Sequence, residues 1–98
     1  MSRNIVMPPV HPGEILREEF LLPLNLSAGA LARRLGVPRT RIERLANEQT
    51  SITPDTALRL ARCLGTTAEF WMNMQSGYDI KRAAAANADD LARIERIA

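Results

Sequence analysis

The stretch from Leu26 to Thr53 constrains the fold of this chain more than any other. It begins Leu26-Ser27-Ala28-Gly29-Ala30-Leu31-Ala32-Arg33-Arg34-Leu35-Gly36-Val37-Pro38 and continues Arg39-Thr40-Arg41-Ile42-Glu43-Arg44-Leu45-Ala46-Asn47. Ser27 is a good N-cap for one helix, Gly36 a good residue for leaving it, and Pro38 sits where a first-turn proline begins the next. Leu31, Ala32 and Leu35 share one face of the first helix, and Ile42, Leu45 and Ala46 share one face of the second, so the two can close on a common core. The second helix then turns Thr40, Arg44 and Asn47 outward, with Arg39 and Arg41 flanking.

Charge sharpens this reading. Leu26 to Asn47 holds five arginines and one glutamate, a net +4, which leaves −2 for the remainder of a 98-residue chain whose total is +2. A local arginine cluster on one helical face points to nucleic acid more strongly than the small overall charge does. The length suits one domain with a modest core, of a size at which a partner copy often adds stability. With 46% hydrophobic but only 4% aromatic residues, the core is expected to be aliphatic and helical.

Catalytic and metal chemistry find no footing. His11 and Cys63 are each the sole residue of their type, so no His cluster, Cys–His pair or zinc motif can be drawn, and neither a metal nor a cofactor is expected. Glu18-Glu19 and Asp89-Asp90 are adjacent, and helix neighbours do not face each other as an acid pair must. The expectation is that the protein is not an enzyme, with His11 fixing the start of the first helix and Cys63 a buried structural thiol among Leu60, Ala61 and Leu64. Ile5-Val6-Met7 is too short for a membrane span or signal peptide and is ended by Pro8-Pro9, so a soluble, cytoplasmic protein with no membrane association is expected.

Along the chain, residues 1–10 read as an extended arm because of their prolines. His11-Pro12-Gly13-Glu14 opens a helix to about Leu22, with Ile15, Leu16 and Phe20 inward and Pro23 ending it. After the paired helices comes a polar loop, Asn47 to Ser51. Thr53-Pro54-Asp55 starts a fourth helix with Ala57, Leu58, Ala61 and Leu64 on one stripe, and Gly65 stops it. Thr66 or Thr67 caps a fifth helix whose apolar side is Phe70, Trp71, Met74 and Tyr78, and Leu91, Ile94 and Ile97 mark a short amphipathic helix at the end. The fold class expected is all-α: a compact bundle of about five helices over residues 11–78, followed by a helical C-terminal tail over 79–98.

An exposed helix of this kind fits the major groove, where Arg44 can donate two hydrogen bonds to guanine and the Thr40 methyl can meet a thymine methyl. Arg39 and Arg41 belong at the rim, and Glu43 is expected to hold an arginine in place. Ser27, Arg33 and the loop residues Asn47, Gln49 and Thr50, together with the N–H groups at the start of the second helix, are the expected phosphate ligands.

Three further blocks carry a resemblance: His11-Pro12-Gly13-Glu14-Ile15-Leu16, Ile52-Thr53-Pro54-Asp55-Thr56-Ala57-Leu58-Arg59-Leu60-Ala61, and Gly65-Thr66-Thr67-Ala68-Glu69-Phe70-Trp71-Met72-Asn73-Met74-Gln75. With the paired helices, they make residues 10–83 resemble the Cro/repressor-type helix-turn-helix superfamily and, within it, the HigA-type antitoxins. The resemblance implies a homodimer that binds double-stranded operator DNA through the third helix, represses its own operon, and neutralises a RelE-like mRNA-cleaving toxin, HigB. Two positions depart from the pattern: Ala28 stands where related repressors often carry a phosphate-binding glutamine, and Glu48 where a glycine often follows the third helix. Phe70, Trp71 and Met74 are the candidate dimer contacts, against the competing reading that they are core. The acidic remainder suggests Glu14, Glu18 and Glu19 as the surface for a basic toxin, with the arm and tail as weaker choices. A stand-alone phage-like repressor and a protein-interaction adaptor without DNA binding are the alternatives.

Overall fold

The computed structural model describes residues 9–97 and is entirely helical over them. Helix α1 (Pro12–Ile15) runs straight into a π-helical segment (Leu16–Leu21), followed by α2 (Ala28–Leu35), α3 (Arg39–Ala46), α4 (Pro54–Leu64), α5 (Ala68–Ala86) and the short α6 (Ala88–Ala92). The expected arm falls almost wholly outside the described residues. No helix among them is long and apolar enough to cross a membrane.

Each start is fixed by the residue the sequence offers. Ser27, Thr53 and Thr67 accept N–H groups three residues on, from Ala30, Thr56 and Phe70. His11 caps α1, its Nδ1 accepting the Gly13 N–H at 2.8 Å, so the lone histidine has the structural role expected of it. Gly36 and Gly65 leave α2 and α4 at φ of +71° and +72°, a conformation that costs glycine nothing.

The core gathers Leu16, Leu21, Leu31, Leu35, Ile42, Leu45, Ile52, Leu60 and Trp71 between α1, α2, α3, α4 and the first turns of α5. In this first helical stretch Leu16 is buried and Ile15 and Phe20 pack half-buried against the core, as expected, while Leu21, which was not expected, is buried as well. The π-helical hydrogen bonding, ending in Leu22 N–H to Arg17 O at 3.0 Å, widens the turn and brings residues five apart onto one face.

Three further expectations are corrected. Leu58 is 62% exposed, because the buried stripe of α4 runs through Ala57 and Leu60 and Leu58 lies a third of a turn beyond it. Cys63, on the other flank of that stripe, is exposed rather than buried. The terminal amphipathic helix ends at Ala92, leaving Ile94 and Ile97 beyond it in solvent with Leu91. A helix of five residues with no buried side chain has nothing to extend it. α5, by contrast, runs unbroken through Gly77 and the alanines beyond it.

Candidate nucleic-acid interface

α3 presents its polar face because its other face is fully used. Ile42, Leu45 and Ala46 are buried, leaving Thr40, Arg41, Arg44 and Asn47 exposed, together with Arg39. Pro38 enters in extended conformation and supplies no side-chain cap, so tertiary contacts must set the start of the helix. Arg39 lies across α2: a Cβ on Gly29 would stand 2.9 Å from its Cδ, so the glycine makes room for the arginine stem. Its guanidinium is 3.4 Å from Glu43, the holding role expected of that acid.

Arg41 belongs to a larger network. Its Nη1 donates to Asp55 Oδ2 at 2.8 Å; Asp55 also accepts from Arg59 Nε at 3.0 Å, and Arg59 Nη1 donates to the Leu35 carbonyl at 2.8 Å. One side-chain chain therefore ties α3 to α4 and to the C-terminus of α2. The two guanidiniums, Arg59 first and Arg41 second, hold the Asp55 carboxyl below the usual carboxylate range. The Arg44 side chain makes no hydrogen bond or ion pair among the described residues. Arg33 on α2 is likewise exposed and unpaired.

The far end of α3 is gripped by α1. Gly13 lies so close that a Cβ there would come within 1.8 Å of the Leu45 carbonyl oxygen. One turn on, Arg17 Nη1 donates to the Ala46 carbonyl, placing a cation at the negative end of α3. The same guanidinium reaches Glu18 at 3.0 Å and Glu48 at 3.2 Å, and these acids, Glu18 foremost, raise its pKa above the ordinary arginine value. Glu48 has φ of +61°, so this glutamate occupies the left-handed position that a glycine would fill, and Arg17 fastens it there.

The loop after α3 is more committed internally than expected. The N–H groups of Asn47, Glu48 and Gln49 donate to Glu43, Leu45 and Arg44 carbonyls at 3.0, 3.0 and 2.8 Å, so Asn47 and Gln49 have only their side chains left for phosphates, beside the exposed Thr50. Ser27 Oγ is engaged with the Ala30 N–H at 3.0 Å, and the first-turn N–H groups of Ala28 and Gly29 are without intrahelical carbonyl partners, as at any helix start. Thr50, Ser51, Thr53 and Arg41 line a cleft of about 430 Å³ beside α3. The loop is pinned from behind by buried Gln75, whose Oε1 accepts the Ile52 N–H at 2.8 Å.

The other site residues are scattered. Trp71 is 0% exposed, its Nε1 donating to Thr66 Oγ1 at 2.7 Å, so it is a core residue with no surface to offer a second copy. Met74 is half-buried against the core, and Phe70 is exposed with its ring edge-on to Trp71. Glu14, Glu18 and Glu19 are all exposed, but Glu18 is spent on Arg17. Among the described residues no three His, Cys, Asp or Glu side chains come together as a metal site would require.

Sequence reasoning missed Gly13, Arg17, Asp55 and Arg59. The Asp55–Arg59 pair has the i,i+4 spacing of a helical ion pair and was legible. Arg17 and Ala46 are 29 residues apart, and no local pattern joins them.

Against known proteins, a helix-turn-helix family profile matches residues 16–71. Virulence-associated protein I of Dichelobacter nodosus is 57% identical over 77 residues, 79% of this chain and 71% of its own length. Antitoxin HigA-1 of Vibrio cholerae is 42% identical over 72 residues, 74% of this chain and 68% of its own. The Pseudomonas aeruginosa antitoxin HigA, solved with the higBA promoter, superposes with a TM-score of 0.88 at 45% identity, covering 92% of this chain and 99% of that one. An all-helical fold, an arginine-faced third helix fixed at both ends, and this degree of likeness have one reading: the chain belongs to the Cro/repressor-type helix-turn-helix family and, within it, to the HigA-type antitoxins.

Proposed function

We propose that this protein is an operator-binding repressor and the antitoxin of a HigB-like, mRNA-cleaving toxin. The observation that carries the DNA half is the exposed face of α3, where Arg44 stands unpaired between a rim of partnered arginines and a loop held rigid from behind. The promoter complex of the Pseudomonas aeruginosa HigA supports it. α3 enters the major groove; Arg44 and Thr40 meet base edges, Arg39 and Arg41 the rim, and Ser27, Arg33, Asn47, Gln49 and Thr50 the phosphates. Two-fold half-sites call for a two-fold reader, so the working species is a homodimer.

Arg44→Ala is expected to cost about 1–3 kcal/mol of operator affinity and to relax base choice at one position per half-site. Arg33→Ala should weaken all sequences alike. A binding selection in which Arg44→Ala changes neither affinity nor preference refutes the assignment of α3.

For the toxin, the acidic face of α1 is the proposed surface, since a ribonuclease that grips phosphates is basic. Because Glu18 steadies Arg17 and through it α3, the clean variant is Glu14→Lys with Glu19→Lys. It should weaken toxin capture in a pull-down and leave operator binding intact; full capture places the toxin elsewhere.

A further inference from the structure

The loop that joins α3 to α4 is held by its own main chain only in its first half. Asn47, Glu48 and Gln49 are tied back to α3, but the N–H groups of Thr50, Ser51 and Thr53 donate to no backbone carbonyl among the described residues. Ile52 is the fixed point there. It is 3% exposed, set in the core, and its N–H donates to Gln75 Oε1 at 2.8 Å. Thr50, exposed and assigned to a phosphate above, lies two residues before it.

Gln75 reaches the loop from α5, beyond the residues 16–71 that the helix-turn-helix profile matches. It stands one turn after Trp71 and one turn before Asp79, on a common face. Trp71 is sealed in the core and Tyr78 sets its ring edge-on to His11 at 4.8 Å, so α5 is fixed in height on either side of the amide. Gln75 itself is 4% exposed, and its Nε2 donates to Asp79 Oδ1 at 3.0 Å. A carboxylate only accepts, so Asp79 takes the nitrogen of the amide and leaves the oxygen for Ile52. Neither bond belongs to the hydrogen-bond ladder of α5; together they fix the main chain of a remote loop.

We propose that Gln75, oriented by Asp79, is a positioning residue for DNA binding: it sets the main chain at Ile52 and thereby the place of Thr50 on the phosphate backbone. The inference rests on the operator-binding reading above and adds a support from α5 to the reading face. Because Gln75 acts through a phosphate contact, it bears on affinity for any duplex and leaves base choice to α3.

The test titrates the full chain with operator and with random duplex, well below its melting temperature, as parent, Gln75→Met, Thr50→Ala and the double variant. Methionine keeps the length of the side chain and removes its acceptor. Gln75→Met is expected to lower affinity for both duplexes about fivefold with their ratio unchanged, and to add at most about twofold on the Thr50→Ala background. Asp79→Ala, at an exposed position, should lower both affinities about twofold, and it decides the matter should Gln75→Met not fold. Asp79→Asn, which still offers an oxygen, should match the parent. A lower Tm with unchanged affinity, a changed ratio, or a loss that multiplies in full with that of Thr50→Ala overturns the positioning role and leaves DNA binding standing. So does an Asp79→Ala protein that binds as the parent does. A parent that binds neither duplex overturns both readings, and one that binds both equally overturns operator recognition alone.

Discussion

Gly13→Ala and Gly77→Ala make the same chemical change with opposite expected signs. At Gly13 the added methyl would sit 1.8 Å from the Leu45 carbonyl oxygen. An uncrowded carbon–oxygen contact is about 3.3 Å, so α1 and α3 must separate by roughly 1.5 Å. The obstacle is backbone near the end of a helix, which cannot rotate aside as a side chain would. Overpacking of this kind costs about 1–3 kcal/mol, and the rigid obstacle argues for the upper end. At about 4–8 °C per kcal/mol for a domain of this size, a loss of about 3 kcal/mol lowers Tm by roughly 12–24 °C. Gly77 lies inside α5 with nothing within 4 Å of its added Cβ. There alanine gains helix propensity of up to about 1 kcal/mol, a rise of a few degrees. Thermal melts of both variants, followed by circular dichroism, decide the matter. A Gly13→Ala protein that melts within about 2 °C of the parent would show that α1 does not lie on α3 as described.

Two further outcomes follow from the ion pairs. The Asp55 carboxyl is held down by Arg59 and then Arg41, so its contribution to stability is complete above the usual carboxylate pKa of about 4 and is lost as pH falls through its lower folded value. Asp55→Asn should therefore abolish that part of the acid-side loss of stability and, by releasing Arg41, reduce the ratio of operator to random-DNA affinity; an unchanged ratio removes Asp55 from any positioning role. Glu48→Gly relieves a left-handed backbone worth about 1–2 kcal/mol and forfeits an exposed ion pair worth about 0–1 kcal/mol, so a modest rise in Tm is expected. A fall would show that the Arg17 contact outweighs the backbone strain.

What the sequence reveals of this fold is what local chemistry writes. Ser27, Thr53 and Thr67 cap helices because a hydroxyl at that position meets an orphan N–H three residues on, and Gly36 and Gly65 end them because only glycine takes φ near +70° freely. The paired faces of α2 and α3 are legible for the same reason: both follow a simple helical period. Leu16 is buried as expected, but Leu21 was not legible, because a π turn changes the period and nothing in Leu16-Arg17-Glu18-Glu19-Phe20-Leu21 announces it. Leu58 and Cys63 were misplaced because they border a buried stripe, and which side of a border is covered depends on the neighbouring helix. Trp71 shows the same limit, since an aromatic on an apolar helical face serves a core or an interface equally well.

The candidate site divides along the same line. Arg39, Thr40, Arg41 and Arg44 are visible as a face of one helix, but what holds that face steady is not on the helix. α3 has only two turns and no side-chain cap at its start, too little to fix its own orientation. It is held at its C-terminal end by Gly13 of α1 and Arg17 of the π-helical segment, and from the side by Asp55 of α4 through Arg41. Asp55 is in turn steadied by Arg59, whose other nitrogen reaches the end of α2. The His11-Pro12-Gly13 opening and the Pro54-Asp55 start of α4 therefore bear on the position of the arginine face from outside the helix that carries it. His11 accepts the N–H of the residue whose missing side chain lets α1 reach α3, so a change at His11 should weaken operator binding as well as the fold. That coupling ties the sole histidine of the chain to the DNA-reading face, through backbone packing rather than through chemistry of its own.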